Sequence, residues 1–138
     1  MNKKIKVGSK IEQKPGRWSF KGKIANNFDE HIINSVPYYK STHDIFIRFS
    51  DFFIKENSLV YDLGCSTGSF LIDLDKRHND NSVKYIGYDN QKGMIDFAKK
   101  KLPRAKKNIS FQCKNVNSIK FLNPSLIVSF YTIQFIDT

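Results

Sequence analysis

Two acidic residues and a glycine-rich turn form the pattern in this chain with the clearest chemical meaning. Asp62, Gly64 and Gly68 follow a short apolar run, and Asp89 follows a second, largely apolar stretch at 83–88. Glycine allows the backbone to approach a ligand closely, and a carboxylate at the end of the neighbouring strand can accept hydrogen bonds from both hydroxyl groups of a ribose. The pattern therefore predicts a binding site for a cofactor that contains a nucleoside.

Asp62 discriminates between two kinds of cofactor. It stands where the Gly-x-Gly-x-x-Gly dinucleotide fingerprint has its first glycine. A carboxylate at that position repels a pyrophosphate but attracts an amino group or a sulfonium. We therefore predict S-adenosyl-L-methionine as the cofactor, rather than NAD. For Asp89, a turn residue ahead of Asn90 is the alternative explanation, because turns favour both residue types.

The elements that must position these residues alternate along the second part of the chain. Apolar segments typical of strands alternate with amphipathic segments typical of helices, which is the pattern of βαβ units. It predicts an α/β fold with a partial parallel sheet of about four strands and helices on both faces. We expect strands at 59–63, 83–88, 109–113 and 126–131, and helices at 69–77 and 91–102.

The first part of the chain has a different texture. Residues 1–17 are polar and basic and are expected to form a flexible arm. A helical N-terminal cap is predicted over 18–56, ahead of the partial sheet at 57–138, and the two together would form one cofactor-binding domain, 18–138. One cap helix would start after Asn27 as its N-cap and end near residue 35. A second would span 41–55 and bury an apolar face, made of Ile45, Phe49, Phe52 and Phe53.

Composition narrows the class of protein and its partners. No apolar run approaches the roughly 20 residues of a membrane helix, so no membrane partner is predicted. Two cysteines without metal-ligand spacing fit reduced thiols and a cytoplasmic protein. The net charge of +10 is concentrated in residues 1–23 and 92–107. These blocks could contact nucleic acid, but lysines on a solvated surface are the preferred explanation. The three histidines show no ligand spacing and are expected at the surface or as caps, so no metal is predicted.

With these residues in place, the chain resembles the class I S-adenosylmethionine-dependent methyltransferases, and among them the carboxy-S-adenosyl-L-methionine synthases. The likeness runs from about residue 18 to 135. It is carried by the Ser-Val-Pro-x-Tyr motif at 35–39 and by residues 60–66, 88–90 and 132–135. The resemblance implies a Rossmann-like fold and S-adenosyl-L-methionine as cofactor. It also implies carboxyl transfer from a keto acid such as prephenate, giving a donor used on the wobble uridine of tRNA.

The resemblance also implies roles for individual positions. Tyr39 would reach the cofactor from the cap, although a packing role is the alternative for this residue. Two positions depart from the family: Asn115 stands where it has an acid, and Phe130 where this branch has an asparagine near the reacting end of the cofactor. The remaining implied contacts are Gly64, Cys65 and Ser66 at the methionine half, Asp89 at the ribose, and Asn90, Asn115 and Val116 around the adenine. Asp62 and Gly68 complete the predicted site, and no catalytic base is identified.

The family has a seven-stranded sheet, whereas this sequence ends directly after its fourth predicted strand. In that branch a later arginine grips the carboxylated co-substrate, and none of the four arginines here follows residue 131. The apolar strand 126–131 would lie at an open edge, so we expect either that a second copy or a partner chain covers it, or that the chain is part of something longer. Two alternatives stay open: a truncated, non-catalytic cofactor-binding or scaffolding protein, and an RNA or DNA methyltransferase. A nucleophilic role for Cys65 is disfavoured, because no histidine is near in sequence.

Overall fold

The computed structural model describes residues 5–7, 11–13 and 27–136. The expected arm and the start of the cap lie outside these residues, except for β1 (Ile5–Val7) and β2 (Ile11–Gln13), which pair in antiparallel fashion. The other elements are α1 (Phe28–Ser35), α2 (Tyr39–Phe49), β3 (Leu59–Leu63), α3 (Ser69–His78), β4 (Lys84–Asp89), α4 (Lys92–Lys101), β5 (Ile109–Cys113) and β6 (Leu126–Val128). Short 3-10 turns occur at Ser50–Phe52, Val116–Ser118 and Ile133–Phe135.

Strands β3 to β6 form one sheet with the order β5-β4-β3-β6, and all three pairings are parallel. The predicted α/β fold with a partial parallel sheet is confirmed. β3 lies in the interior with β6 on one side and β4 on the other, so β6 is an edge strand of the described sheet. It is also shorter than predicted, because the chain leaves the sheet after Val128 and Tyr131 adopts a left-handed backbone with φ 54°.

Helices α3 and α4 both pack on one face of this sheet. Leu71 and Leu74 from α3 and Ile95 from α4 share one buried cluster with alternate strand residues such as Val60 and Tyr85. The prediction of helices on both faces is therefore wrong for the described residues. The path β3-α3-β4-α4-β5 moves in a single direction along the sheet, and right-handed crossovers that move the same way place their helices on the same face.

The connection from β5 back to β6 crosses the opposite face. It runs in the reverse direction, so the same rule of handedness places it there. Phe121 in this connection packs edge-on against Tyr61, with 5.4 Å between the ring centroids. Tyr61 in turn stacks on Tyr88, and both tyrosines are buried. A loop that packs through Phe121 thus covers part of the second face, where the prediction of helices on both faces required a helix.

The cap helix α2 buries a different face from the predicted one. Phe49, Phe52 and Phe53 are 57%, 82% and 51% exposed, and Ile45 is 51% exposed. Instead His43, Ile47 and Ser50 turn inward, at the four- and three-residue spacing of one helix face. Ser50 donates its hydroxyl to the carbonyl of Ile47 (2.6 Å) and also bonds His78 Nε2 (2.7 Å). Two polar residues therefore belong to the packed face: Ser50, which is satisfied by hydrogen bonds, and His43, whose Nε2 has no hydrogen-bond partner among the described residues.

Asn27 does precede α1, but its side chain makes no capping hydrogen bond. Among the described residues, no helix combines the length and the apolar character needed to cross a bilayer.

Candidate functional site

The turn between β3 and α3 is shaped by two glycines in the left-handed region. Gly64 has φ +80° and Gly68 has φ +73°. A Cβ on Gly64 would overlap Thr132, and a Cβ on Gly68 would overlap the ring of Phe111. Both positions therefore exclude larger side chains because of backbone conformation and because of neighbours within the protein. Neither Phe111 nor Thr132 was a predicted site residue, although Thr132 lies in the matched segment 132–135.

The backbone of this turn is tied to the end of β4. The N–H groups of Gly64 and Cys65 both donate to the carbonyl of Tyr88, at 2.7 and 2.9 Å. The N–H of Gly68 donates to the carbonyl of Cys65 (2.8 Å), and the N–H of Ser66 donates to Asp89 Oδ2 (2.9 Å). The N–H groups of residues 64–66 already donate to acceptors within the protein. These residues would therefore contact the cofactor through the shape of the turn and through their carbonyl oxygens.

Asp89 lies at the end of β4 and is buried. Its Oδ2 accepts from Ser66, and its Oδ1 accepts from the N–H of Gln91 (2.8 Å). A carboxylate has about four lone-pair sites, so one site on each oxygen remains after these bonds. Burial raises the pKa of Asp89, and the backbone bonds from Gln91 and Ser66 oppose that rise. The geometry thus presents two acceptor positions at the place predicted for the ribose hydroxyls.

Asp62 lies one strand away and is only 2% exposed. Its Oδ1 has no hydrogen-bond partner among the described residues. Burial, reinforced by the charge of Asp89, raises the pKa of Asp62 to about 7. A buried acceptor without a partner is costly unless a ligand or a proton satisfies it. An ammonium or sulfonium group beside Asp62 would favour its ionised form, so the two carboxyls suit a cationic nucleoside.

Cys65 does not have the environment of a nucleophile. Its side chain is buried, and burial, together with the charges of Asp62 and Asp89, raises the pKa of its thiol well above the usual value. The thiol therefore stays protonated at neutral pH. It packs instead where a side chain on Gly87 would collide with it.

The residues predicted around the adenine lie at neighbouring strand ends. The N–H of Lys114 donates to the carbonyl of Asp89 (3.0 Å), which brings the chain after β5 beside Asp89. Asn115 then caps a 3-10 turn, with its Oδ1 accepting from the N–H of Asn117 (2.9 Å). Asn90 is exposed, with its Oδ1 accepting from Gln91 (2.8 Å), and Val116 is half-buried. These positions therefore lie together at one edge of the sheet. The side-chain oxygens of Asn90 and Asn115 already accept hydrogen bonds from neighbouring residues.

Tyr39 belongs to an aromatic cluster that joins the cap to the end of β6. Its ring lies 5.3 Å from that of Phe130 and stacks on Tyr131 at 5.6 Å. Burial, followed by the charges of Asp29 and Asp62, raises the pKa of Tyr39 to about 12. Tyr39 and Phe130 therefore contact each other directly, and the charge of Asp62 is felt at Tyr39. The predicted cofactor role of Tyr39 and its alternative packing role both require the side chain to lie at this position.

His43 is a member of this region that sequence analysis missed. It was expected at the surface, but it is only 9% exposed, with its ring 5.0 Å from Phe70 and 5.9 Å from Phe130. Its Nε2 lies 3.6 Å from Asp73 Oδ2. Burial lowers the pKa of His43, against the opposing effect of Asp73. The four-residue spacing from Tyr39 was the one available signal, because it places both side chains on one side of α2.

Within the described part of the chain, no group of three histidine, cysteine or acidic side chains is arranged to hold a metal ion. The buried carboxyls around the glycine turn are those of Asp62 and Asp89.

Comparison with known proteins agrees with this arrangement. Residues 60–138 match the family model described as a methyltransferase domain. The carboxy-S-adenosyl-L-methionine synthase of Staphylococcus epidermidis is 40% identical over 124 residues, which cover 89% of this chain and 53% of that protein. A protein of Methanococcus maripaludis assigned to the S-adenosyl-L-methionine-dependent methyltransferases superposes with a TM-score of 0.65 at 24% identity, covering 88% of this chain and 57% of that one.

The plantazolicin methyltransferase BpumL, crystallised with S-adenosylhomocysteine (SAH), superposes with a TM-score of 0.54 at 20% identity, over 78% of this chain and 40% of that one. At such identities, both structural matches speak for the fold alone. The chain spans about half the length of the curated relatives it matches, 53% and 54% for two of them.

Proposed function

This chain belongs to the methyltransferase-domain family, and from that premise we propose that it binds S-adenosyl-L-methionine at the C-terminal edge of β3 and β4. Asp89 would hold the ribose hydroxyls, and Asp62 would face the cationic methionine half. The glycine turn would lie beneath the cofactor, with Asn90, Asn115 and Val116 around the adenine. The SAH complex of BpumL gives the fold a precedent for such a ligand.

One observation supports this proposal above all others: two buried carboxyls flank the glycine turn, and one of them has an oxygen without a hydrogen-bond partner among the described residues. Two negative groups in a poorly solvated site would repel the pyrophosphate of a dinucleotide. They would instead stabilise a ligand with an ammonium and a sulfonium. Titrating the protein with S-adenosyl-L-methionine and, separately, with NAD tests this directly. We expect saturable binding of the first and none of the second, and the reverse order would contradict the proposal.

For the reaction, we propose the carboxyl transfer for which the relatives are named. In a balanced form, prephenate loses one carboxyl group as CO2 and loses hydroxide as its ring becomes aromatic. S-adenosyl-L-methionine, a substrate in this reaction, would exchange one proton of its methyl group for this CO2, and the proton would leave with the hydroxide as water. The products are carboxy-S-adenosyl-L-methionine, phenylpyruvate and water. The protein would contribute by orienting the two reactants and excluding water. The product would serve modification of the tRNA wobble uridine, in the cytoplasm.

Incubation with cofactor and prephenate, followed by mass spectrometry, tests the reaction. A cofactor that gains the mass of one CO2 would support it. An unchanged cofactor from a protein that nevertheless binds it would leave the non-catalytic alternative.

We also propose that a second copy or another chain covers β6 and completes the co-substrate site. β6 pairs only with β3 in the described sheet, and Ile127 on it is 43% exposed. An apolar, unpaired strand edge favours association. Among the described arginines, Arg77 is bound to Asp51 through two hydrogen bonds, so its guanidinium is already engaged by a carboxylate.

A nucleic-acid substrate is the second candidate, favoured by the concentration of charge. Residues 92–107 carry seven Lys/Arg against Asp96 alone, and that acid is paired with Lys92. Contacts between these cations and phosphates would give affinity that falls steeply with salt. Binding of tRNA that does not respond to salt would count against this candidate.

A further inference from the structure

A cluster of four polar side chains joins three separate elements at the glycine turn. Asp29 comes from α1, Thr67 from the glycine turn, Ser69 from the first position of α3, and Lys101 from the last turn of α4. Lys101 Nζ donates to Asp29 Oδ2 at 2.8 Å and to Ser69 Oγ at 2.6 Å. Ser69 donates to the same Asp29 oxygen at 3.2 Å, and Thr67 donates its hydroxyl to Asp29 Oδ1. Residues 38 to 72 positions apart in sequence thus share one carboxylate.

This cluster differs from an ordinary surface ion pair. Thr67 is only 2% exposed, and the Lys101 and Asp29 side chains are 27% and 42% exposed. Burial by itself would raise the pKa of Asp29, but the bonds from Lys101 and Thr67 and the charge of Lys101 outweigh it, so the pKa lies below its ordinary value. The carboxylate therefore stays ionised and fully engaged across the neutral range. By contrast, the Lys92–Asp96 pair on α4 has side chains 79% and 48% exposed.

The position of Thr67 explains how the cluster restrains the glycine turn. Thr67 lies between Ser66, whose N–H holds Asp89 Oδ2, and Gly68, whose left-handed backbone lies against Phe111. A hydrogen bond from Thr67 to the cap therefore restrains the peptide units on either side of it. Those peptide units set the distance between the turn and Asp89.

We propose that Asp29 and Lys101 are positioning residues that lock the glycine turn in its cofactor-binding geometry through Thr67 and Ser69. The proposal rests on the proposed function, since it assigns to this lock the affinity of the turn for S-adenosyl-L-methionine. The cap helix α1 is then part of the binding apparatus without touching the cofactor. Loss of the lock would leave the turn free to sample other conformations, and binding would have to restrict it again.

Four substitutions separate the lock from general stability. Asp29→Asn keeps the shape of the side chain but removes its charge. Thr67→Val removes only the hydroxyl, and Thr67→Ser keeps it. Asp96→Asn is the matched control, because it breaks another Lys–Asp pair on the exposed side of α4. We expect Asp29→Asn and Thr67→Val each to weaken S-adenosyl-L-methionine binding about tenfold, the change that about 1.4 kcal/mol produces. Thr67→Ser and Asp96→Asn should bind like the original chain.

Two measurements test the lock. Calorimetric titration with S-adenosyl-L-methionine gives the affinities, and amide hydrogen exchange at 64–70 without cofactor gives the order of the turn. The proposal expects faster exchange in Asp29→Asn and Thr67→Val, and a double variant no weaker than either single one, because both remove the same restraint. Losses that add, or exchange and affinity of Asp29→Asn equal to those of Asp96→Asn, would overturn it.

Failure of the proposed function would look different. If the original chain bound no S-adenosyl-L-methionine, the proposed function would be wrong. Faster exchange at 64–70 in Asp29→Asn, measured without cofactor, would by itself still support the lock. Unaltered exchange in that variant would overturn the lock whatever the ligand does. Urea unfolding of each variant shows whether a loss of binding accompanies global destabilisation. If it does, Thr67→Ser, which keeps the hydroxyl, shows whether the loss of binding comes from the missing hydrogen bond or from the lower stability.

Discussion

Replacing Asp62 by asparagine should change how the stability of this protein depends on pH. The carboxyl is fully buried and its pKa is raised to about 7 from an ordinary value of 3.8. A raised pKa means that the folded state holds the proton more tightly than the unfolded state. Between about pH 4 and pH 7 the folded state therefore keeps a proton that the unfolded state has lost, and stability falls as the pH rises through that window. Above about pH 7 the full cost of the buried charge is present.

The size of the effect follows from the shift. A difference of about three pKa units corresponds to about 4 kcal/mol at about 1.36 kcal/mol per unit, taken as an upper limit. The amide introduced by Asp62→Asn carries no charge, so the variant should gain up to that amount over the original chain at about pH 8 and little or nothing at about pH 4. Asp89 stays in place in both proteins, and its own raised pKa leaves a smaller slope of the same sign in each.

Urea unfolding of both proteins at about pH 4, 6 and 8 measures this difference. Equal slopes of unfolding free energy against pH in the original chain and in Asp62→Asn would refute the assignment of the buried charge to Asp62. The ionisation of Asp62 should also affect the binding of the cofactor. If the cationic cofactor needs Asp62 ionised, its binding should strengthen by up to about tenfold per pH unit below about pH 7, the limit for release of one proton. Asp62→Asn should abolish that trend.

Further substitutions test the turn, the cap and the sheet edge. Gly68→Ala should destabilise the fold by about 1–2 kcal/mol through its left-handed backbone, with overpacking against Phe111 in addition; an unfolding midpoint equal to the original would contradict that packing. His43→Leu should remove a loss of stability below about pH 6.5, because a pKa lowered by burial makes the folded state the weaker proton binder; denaturation at about pH 5 and 8 measures it, and an unchanged acid-side slope would exclude His43 as the cause. Ile127→Lys should reduce association through β6 in analytical ultracentrifugation, and an unaltered sedimentation profile would argue against that edge as an interface.

Much of the fold could be predicted because its signals are local. β5 has the predicted bounds, and the other sheet strands and α3 and α4 overlap their predicted ranges, since each is an apolar or amphipathic run bounded by turn residues. The glycine turn and the acids of β3 and β4 were equally visible, because Asp62 and Asp89 lie near the C-terminal ends of these apolar strands and the turn follows β3 directly. The parallel order of the sheet follows from the alternation of elements.

The errors arose where tertiary contacts decide. α2 has helical periodicity on two sides, and the sequence favoured the side with more aromatic residues. The buried side contains His43 and Ser50, whose burial depends on α3 and on Phe130, far away in sequence. The two helices on one face follow from the direction of the chain through the sheet, which single-segment patterns do not contain. Asp29 lies in the first turn of α1, where acids are common, and its partners Thr67 and Lys101 were identifiable only in three dimensions.

The account depends most on one assignment, that Asp89 and the glycine turn hold S-adenosyl-L-methionine. Calorimetric titration of the original chain and of Asp89→Ala at neutral pH tests it most directly, with Asp96→Asn as the control for loss of an exposed acid. We predict saturable binding by the original chain and by Asp96→Asn, and none by Asp89→Ala at about 1 mM cofactor. No binding by the original chain at that concentration, or equal binding by Asp89→Ala, would contradict the account.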